Sequence, residues 1–529
     1  MKNNTVRLNE ILARLYRNVL KIEEEAICLA TNNNLTINEI HTLTEIGLGK
    51  AKTMTQVAAE VKISVGALTT AMNKLVKKGY VRRFRVSEDR RMVKVELTEA
   101  GAAAVEEHER FHERMLEDIF TGKSEEEQQC LLRLMDELDE YFKMCLLRPV
   151  RKPEELGLSP IMLGELEIPF PVFQGDMGVA FSTPTLAAAI AANGGVGILT
   201  AVQPGIFEGD YGENPEAANI RALKDNIMRT RDMMGGAAGA GGRGAVAVSI
   251  PCALTSYAKL VRTAIEAGAD IIVSGAGLPT ALPGIVKDAR VKLAPVVSSA
   301  RAVGVLRRNW AKKYNRAPDA IIFEGANKSG HLGYKEEQLG SAAEHFYQTI
   351  IEIRRELEDL PNCPLIVADG LADKARLLNA LRYGADGIQL EEEFIAAEEC
   401  DAPESVKRIY TEGGGFKSVI VKSPLGMPVR IIRNKLAEAV ISGGLPAMHC
   451  VSCLDTCAKT DIPFCLAEAL ASTALGDAEN GVLFAAGNRS VNSVNFAAEA
   501  PPADGVQNRR RPRVEDIFRL LRDWTAVIQ

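Results

Sequence analysis

Ala320-Ile321-Ile322-Phe323-Glu324-Gly325-Ala326-Asn327-Lys328-Ser329-Gly330-His331-Leu332-Gly333 is a short apolar run that ends on a carboxylate and passes into a glycine-bounded polar loop. A run this short, edged by glycine, reads as a buried strand rather than a helix. The same pattern recurs on both sides. Candidate strands are Pro171–Gln174, Val196–Ala201, Ala245–Ile250, Asp270–Ser274, Pro295–Ser298, Ala320–Glu324, Leu365–Ala368 and Gly387–Leu390. Helical patterns lie between them, for example at Pro184–Asn193, Tyr257–Ala267, Ala300–Lys313 and Lys374–Tyr383. Eight strand–helix units in about 250 residues predict an α/β TIM (β/α)8 barrel. An open doubly wound sheet is the alternative arrangement. In a barrel the reactive groups follow the strand C-termini. Those places hold Gly175-Asp176-Met177-Gly178, Ser274-Gly275, Ser298-Ser299, Gly325 through His331, Asp369-Gly370 and Glu391-Glu392.

The first 148 residues follow different rules. Leu8, Ile11, Leu12, Leu15, Val19 and Leu20 recur at helical spacing, and 103–146 is a second helical region broken near Thr121-Gly122-Lys123-Ser124. Between them, Thr36, Thr53 and Ser64 sit where N-caps belong, and Gly79 ends the helix that Ser64 begins. Tyr80–Phe84 and Met92–Leu97 then alternate as two strands around a charged turn. Helices followed by a two-stranded wing predict a winged helix-turn-helix, so the chain as a whole is multidomain. Basic residues crowd from Lys62 to Lys94, opposed there only by Glu88 and Asp89. Ser64, Thr69, Thr70, Asn73 and Lys74 supply the small or hydrogen-bonding groups a recognition helix needs, and Arg90 and Arg91 stand in the wing turn. A solvated basic face is the plainer reading of such a charge run.

With 529 residues there is room for several cores. The net charge of -6 excludes a global attraction to nucleic acid and confines any DNA contact to a local patch. No apolar run approaches the ~18–20 residues of a membrane span. The opening Met-Lys-Asn-Asn-Thr lacks an apolar h-region, so a cytoplasmic location is expected. The expected organisation is a DNA-binding and dimerisation domain (1–148), a linker (149–160), the barrel (161–495) with a cysteine-rich segment (449–465), and a spacer with a final amphipathic helix, Val514–Val527 (496–529). Gly239 through Gly244 matches a dinucleotide motif in form, but it precedes a strand and reads as a loop. Cys450-x2-Cys453-x3-Cys457-x7-Cys465 places four thiols close enough to enclose one metal centre, an iron–sulfur cluster or tetrahedral zinc. Metal-free reduced cysteines are the alternative.

Two resemblances add to this reading. Residues 5–147, above all Ser87-Glu88-Asp89-Arg90-Arg91 and Val95-Glu96-Leu97-Thr98-Glu99-Ala100-Gly101, resemble the MarR family of transcriptional regulators. That resemblance implies a homodimer built from the terminal helices, double-stranded DNA as partner, and Arg90 or Arg91 entering the minor groove. Residues 160–495 resemble the nitronate monooxygenase group of FMN barrels, similar in turn to flavin-dependent enoyl-ACP reductases. The carriers are Phe173 through Val179, Gly194-Gly195-Val196-Gly197, Ser274 through Pro279, Glu324-Gly325 with Gly330-His331-Leu332-Gly333, and Gly384 through Gln389. This second resemblance implies FMN near Gln174, Gly175, Met177, Gly178, Ser274, Gly275, Gly330, Gly370, Gly387 and Gln389. It implies that backbone N–H groups after the seventh and eighth strands hold the phosphate, with His331 as catalytic acid/base.

The chain departs from that pattern at flavin positions. Asp176, Ser329 (with Lys328 before it), Asp369 and Glu391 stand where the resemblance implies glycine, and Glu392 and Glu393 where it implies threonine and arginine. A carboxylate about 4 Å from a phosphate costs on the order of 4 kcal/mol per charge pair at an effective dielectric near 20. The carboxylates either point away, are compensated by Lys328, or weaken flavin binding. Four functions stay open, the plainest keeping the winged helix only as a dimerisation scaffold. One is a regulator fused to an FMN-dependent oxidoreductase acting on nitronates. Another is a non-enzymatic regulator whose altered barrel senses a small-molecule ligand. The third is an enoyl-thioester reductase.

Overall fold

A computed structural model describes residues 2–32, 34–61, 63–85, 93–152, 155–235, 244–287, 290–411, 417–445, 447–455, 457, 462–487 and 511–526. The chain divides into two compact units, Met1–Phe142 and Lys143–Gln529.

The first unit contains helices α1 (Lys2–Ala30), α2 (Ile37–Ile46), α3 (Met54–Glu60), α4 (Val65–Lys77), α5 (Glu99–Phe120) and α6 (Glu125–Leu146). Its strands β1 (Lys52–Thr53), β2 (Val81–Arg85) and β3 (Val93–Leu97) form an antiparallel sheet in the order β1-β3-β2. Local chemistry explains the helix ends. Thr36 and Glu39 make a reciprocal capping box on α2, Ser64 accepts from the Ala67 N–H at the start of α4, and Gly79 turns the chain after α4 with φ +86°. Helix α5 begins earlier than the sequence pattern indicates because Thr98 caps it by accepting from Gly101. Ile40, Leu43, Ile46, Val57, Leu68, Met72, Leu75, Val81 and Val95 form the buried core. The short strand β1 has no sequence signature and is visible only through its pairing with β3.

In the second unit the hairpin β4 (Ile161–Leu163) and β5 (Leu166–Ile168) precedes eight parallel strands. These are β6 (Val172–Gln174), β7 (Val196–Thr200), β8 (Ala245–Ser249), β9 (Ile271–Ser274), β10 (Lys292–Val297), β11 (Ile321–Glu324), β13 (Leu365–Ala368) and β14 (Gly387–Leu390), while the short β12 (Gly330–His331) falls outside the ring. They close in the order β10-β11-β13-β14-β6-β7-β8-β9, a barrel rather than an open sheet. Every expected strand is present to within a few residues. Leu163 and Ile168 of the hairpin join the interior cluster of Phe173, Val196, Ile198, Ala247, Ile271 and Ile322, so the barrel centre is packed.

Two outlying segments belong to this unit. Within the expected linker, Val150 and Arg151 donate their N–H groups to Arg382 O, and the Arg151 guanidinium binds Asp386. The helix Val514–Ala526 buries Phe518 against Phe170 and Phe394. A small sheet, β12 with β15 (Ser418–Lys422) and β16 (Pro428–Ile432), runs antiparallel beside the barrel and was not legible in the sequence.

Candidate functional site

His331 is positioned by this small sheet, where it pairs in register with Val429 of β16. Gly330 adopts φ +78°, a conformation costly for a residue with a Cβ, and so turns the chain from β11 back across the barrel mouth. The imidazole Nε2 is buried and, among the described residues, has no hydrogen-bond partner. Burial, reinforced by the nearby Lys328 charge, pushes the imidazole down to a pKa of about 3. The ring is therefore neutral at ordinary pH.

The carboxylates at the strand ends face the site. One Glu391 oxygen accepts from the Ser329 N–H at 2.9 Å and from the Ser329 hydroxyl. A Cβ built on Gly175 would stand 2.2 Å from the Glu391 Cγ, so this side chain lies directly against the β6 loop. Lys328 Nζ sits 2.5 Å from Glu324 and 3.7 Å from Glu391. Burial opposes the Lys328 charge, but the two carboxylates outweigh it and hold the ammonium charged. Asp369 accepts from the Asn327 N–H at 2.6 Å and from Arg376 at 2.6 Å. Glu393 accepts from the Glu391 N–H at 2.9 Å, and Glu392 from the Ala486 N–H. Burial raises Asp369 and Glu393 to about 6. Burial, with the Glu393 charge beside it, raises Glu392 to about 8.

This rim does not fit the phosphate of FMN as the resemblance implies. The Ser329 and Glu391 N–H groups already bind carboxylates of the chain itself, and Glu391 occupies the space beside Gly175. Lys328 is the cationic partner of Glu324 and Glu391 within the protein. Asp176 stays at the rim, against Thr200 at the C-terminal end of β7. It accepts from Gly178 N–H, Ser182 and Thr200 at 3.0–3.2 Å.

The other expected flavin residues have mixed placements. Gln174 is buried, and its side-chain oxygen accepts from the Ile198 N–H at 3.0 Å. Ser274 uses its hydroxyl on Ile250 O and Tyr257. Met177 is buried, its N–H on Ser182; Gly178 and Gly370 have positive φ; Gly275 packs against Val296; Gln389 reaches Glu391 at 3.4 Å. Gly387 begins β14, at the end of the strand away from the rim, where a Cβ would meet Pro171 O at 2.6 Å. Its smallness serves strand packing, which corrects the assignment of this residue to the cofactor. Arg430 was not anticipated. It is buried and donates to Ala326 O and Lys328 O, fixing the loop that carries His331. No alternation marks its strand in the sequence, since Val429 to Ile432 are all buried.

Cys450, Cys453, Cys457 and Cys465 all line one cavity of about 270 Å³. Among the described residues, no three of these sulfurs lie mutually within 4.8 Å. A tetrahedral zinc with bonds of ~2.3 Å needs its sulfurs about 3.8 Å apart.

On the winged-helix unit, Thr69, Thr70, Asn73 and Lys74 are exposed along α4. Ser64 is occupied by its capping role. Arg83 donates to Asn73 Oδ1 at 2.8 Å and to Thr69 O at 3.4 Å, which ties the wing to α4. Lys78 and Arg82 are neutralised by Glu39 and Glu96. Arg90 and Arg91 lie outside the described residues, as do Gly239–Arg243.

Residues 159–499 match the family model described as nitronate monooxygenase, and residues 28–108 match that of the transcriptional regulator SarA/Rot. A curated relative, the (3aS,4S,5R,7aS)-5-hydroxy-7a-methyl-1-oxo-octahydro-1H-indene-4-carboxyl-CoA dehydrogenase of Mycobacterium tuberculosis, is 30% identical over 127 residues, 24% of this chain and 32% of that protein. The chain spans a third to under half of the length of this relative and its Rhodococcus jostii counterpart. Among solved structures, FabK from Thermotoga maritima is 22% identical with TM-score 0.48, covering 67% of this chain and 92% of that one. Streptococcus pneumoniae FabT in complex with DNA is 36% identical with TM-score 0.25, covering 26% and 97%. Among the described residues no helix is long and apolar enough to cross a membrane.

Proposed function

The chain belongs to the nitronate monooxygenase family through residues 159–499, and we propose that it couples a DNA-binding regulator of MarR type to an FMN-dependent oxidoreductase barrel that holds its flavin weakly. The observation that carries this reading is Glu391. Its carboxylate takes the Ser329 N–H and hydroxyl and fills the space beside Gly175. Flavin would compete with the protein's own side chain for the same donors, so occupancy becomes conditional. His331 is the assigned proton-handling residue. Among the described residues its buried Nε2 has no hydrogen-bond partner, and a pKa near 3 keeps the ring neutral and a weak base until substrate changes its surroundings. Nitronates are the substrate class that the family supports.

The exposed Thr69, Thr70, Asn73 and Lys74 support contact with double-stranded DNA, with Arg90 and Arg91 as wing contacts. Exposed Leu15, Tyr16, Val19, Leu116, Leu132 and Phe142 on α1, α5 and α6 support a homodimer formed by the terminal helices. A cytoplasmic location follows from that role. The spread of the four thiols around one cavity supports an iron–sulfur cluster over a single zinc ion.

The test is turnover of an alkyl nitronate by full-length protein with and without added FMN. Turnover that requires added FMN supports the reading; none at saturating FMN sinks it. The buried Glu324–Lys328–Glu391 network favours a second reading, a barrel that senses a small molecule without transforming it. DNA affinity that changes with a ligand, in a protein inactive with flavin, would select this second reading. NADH-dependent reduction of an enoyl thioester would instead mark the barrel as a reductase.

A further inference from the structure

Three helices of the winged-helix unit bring four donors to one point. Glu23 lies on α1, His41 on α2, and His108 and His112 on α5. The α5 pair is spaced i,i+4, so both imidazoles share one helix face. His41 Nε2 is 2.7 Å from Glu23 Oε1, His108 Nε2 is 2.8 Å from the same oxygen, and His112 Nε2 is 3.6 Å from it. The His108 and His112 Nε2 atoms are 3.1 Å apart. The donor atoms of Glu23, His41 and His108 all lie within 4.8 Å of one another.

Hydrogen bonding alone leaves this cluster poorly served. Glu23 is buried, and among the described residues its ion-pair partners are these three histidines, with no lysine or arginine. A neutral imidazole carries one N–H. If His108 Nε2 donates to Glu23, it has no lone pair left for His112 Nε2, which faces it. A cation at the centre removes the conflict by accepting the lone pair of every nitrogen and the carboxylate charge at once. Metal–ligand bonds of 2.0–2.1 Å set tetrahedral donors about 3.3 Å apart. The observed separations of 2.7, 2.8, 3.1 and 3.6 Å bracket that value. The His41 and His112 side chains are 48% and 36% exposed, which leaves a route from solvent, while Glu23 and His108 form the buried floor at 5% and 7%.

We propose that Glu23, His41, His108 and His112 form a site for a first-row divalent transition metal ion, with zinc(II) matching the three-nitrogen, one-oxygen donor set. The site would cross-link α1, α2 and α5, the helices that frame the DNA-binding elements. It belongs to the first unit, whereas the four-cysteine cavity belongs to the second.

The test is a zinc(II) titration of the chelator-stripped, full-length protein against a chromophoric competitor. The comparison is between wild type and a His41→Ala/His112→Ala double variant, both changed positions being solvent-accessible. Wild type should take up one more equivalent per chain than the double variant. Single His41→Ala should weaken that equivalent by at least the 10–100-fold that loss of a supporting partner typically costs. Cobalt(II) provides a second readout. Its four-coordinate visible absorption at this site should persist when all four cluster cysteines are changed to serine and vanish when the two histidines are changed to alanine. Equal zinc stoichiometry and affinity in wild type and His41→Ala would overturn the proposal, and that single variant decides the matter if the double variant fails to fold.

Discussion

Replacing Glu391 with glycine is the sharpest perturbation of the barrel. The substitution removes the carboxylate from the Ser329 N–H and hydroxyl and clears the space in which a Gly175 Cβ would stand 2.2 Å from the Glu391 Cγ. A unit negative charge ~4 Å from a phosphate charge costs on the order of 4 kcal/mol at an effective dielectric near 20. Losing one such pair corresponds to about a 10³-fold gain in affinity. Glu391→Gln removes the charge but keeps the bulk, so it should recover only part of the gain. The assay is quenching of FMN fluorescence on titration with each full-length protein at fixed salt. Lys328 keeps its 2.5 Å contact with Glu324 in both variants, so the fold has a remaining partner for the buried ammonium. The expected order of affinity is Gly, then Gln, then wild type. If the three proteins bind FMN equally, Glu391 does not guard the site and the reasoning fails.

Other consequences follow from particular residues. Burial raises the Glu392 pKa to about 8, well above its ordinary value of 4.5. Its contribution is therefore fully present below about pH 4.5 and is lost as pH rises through about 8, at ~1.4 kcal/mol per pH unit for one proton. Chemical denaturation of the barrel across that range should show falling stability, and Glu392→Gln should flatten the slope. Phe518→Ala empties a buried site between Phe170 and Phe394 and should cost about 3–5 kcal/mol, read as a lower melting temperature of the barrel. An unchanged melting temperature would mean that the terminal helix is not part of the barrel core. Arg83→Ala removes the link from the wing to Asn73 and Thr69 and should weaken salt-sensitive DNA binding while leaving barrel stability alone. Anaerobic purification should retain iron and sulfide that Cys453→Ser loses; zinc in their place would contradict the cluster assignment.

The barrel was legible because each strand is a compact apolar run between helical patterns, so period and length alone identify it. Winged-helix caps were legible for the same local reason, since Thr36, Ser64 and Gly79 act within four residues of their own position. The sequence also exposed the misplaced carboxylates at Asp176, Asp369 and Glu391–Glu393. It did not show where they point, because Glu391 reaches Ser329 across 62 positions and Asp369 reaches Asn327 across 42. The small sheet holding His331 was hidden for a related reason: Gly330–His331 is too short to carry a periodic signal and exists through pairing with β16. Gly387 shows the opposite error, a motif glycine whose smallness serves packing against Pro171. The Glu23–His41–His108–His112 convergence joins three helices, and only the i,i+4 histidine spacing on α5 hinted at it.

Flavin content of the untreated wild-type protein tests the central claim most directly. Full-length chain purified without added cofactor, denatured and assayed for released FMN should yield far less than one equivalent. Its visible spectrum should gain flavin bands only when FMN is supplied in excess. One tightly held FMN per chain after purification and dialysis would contradict a rim already filled by Glu391.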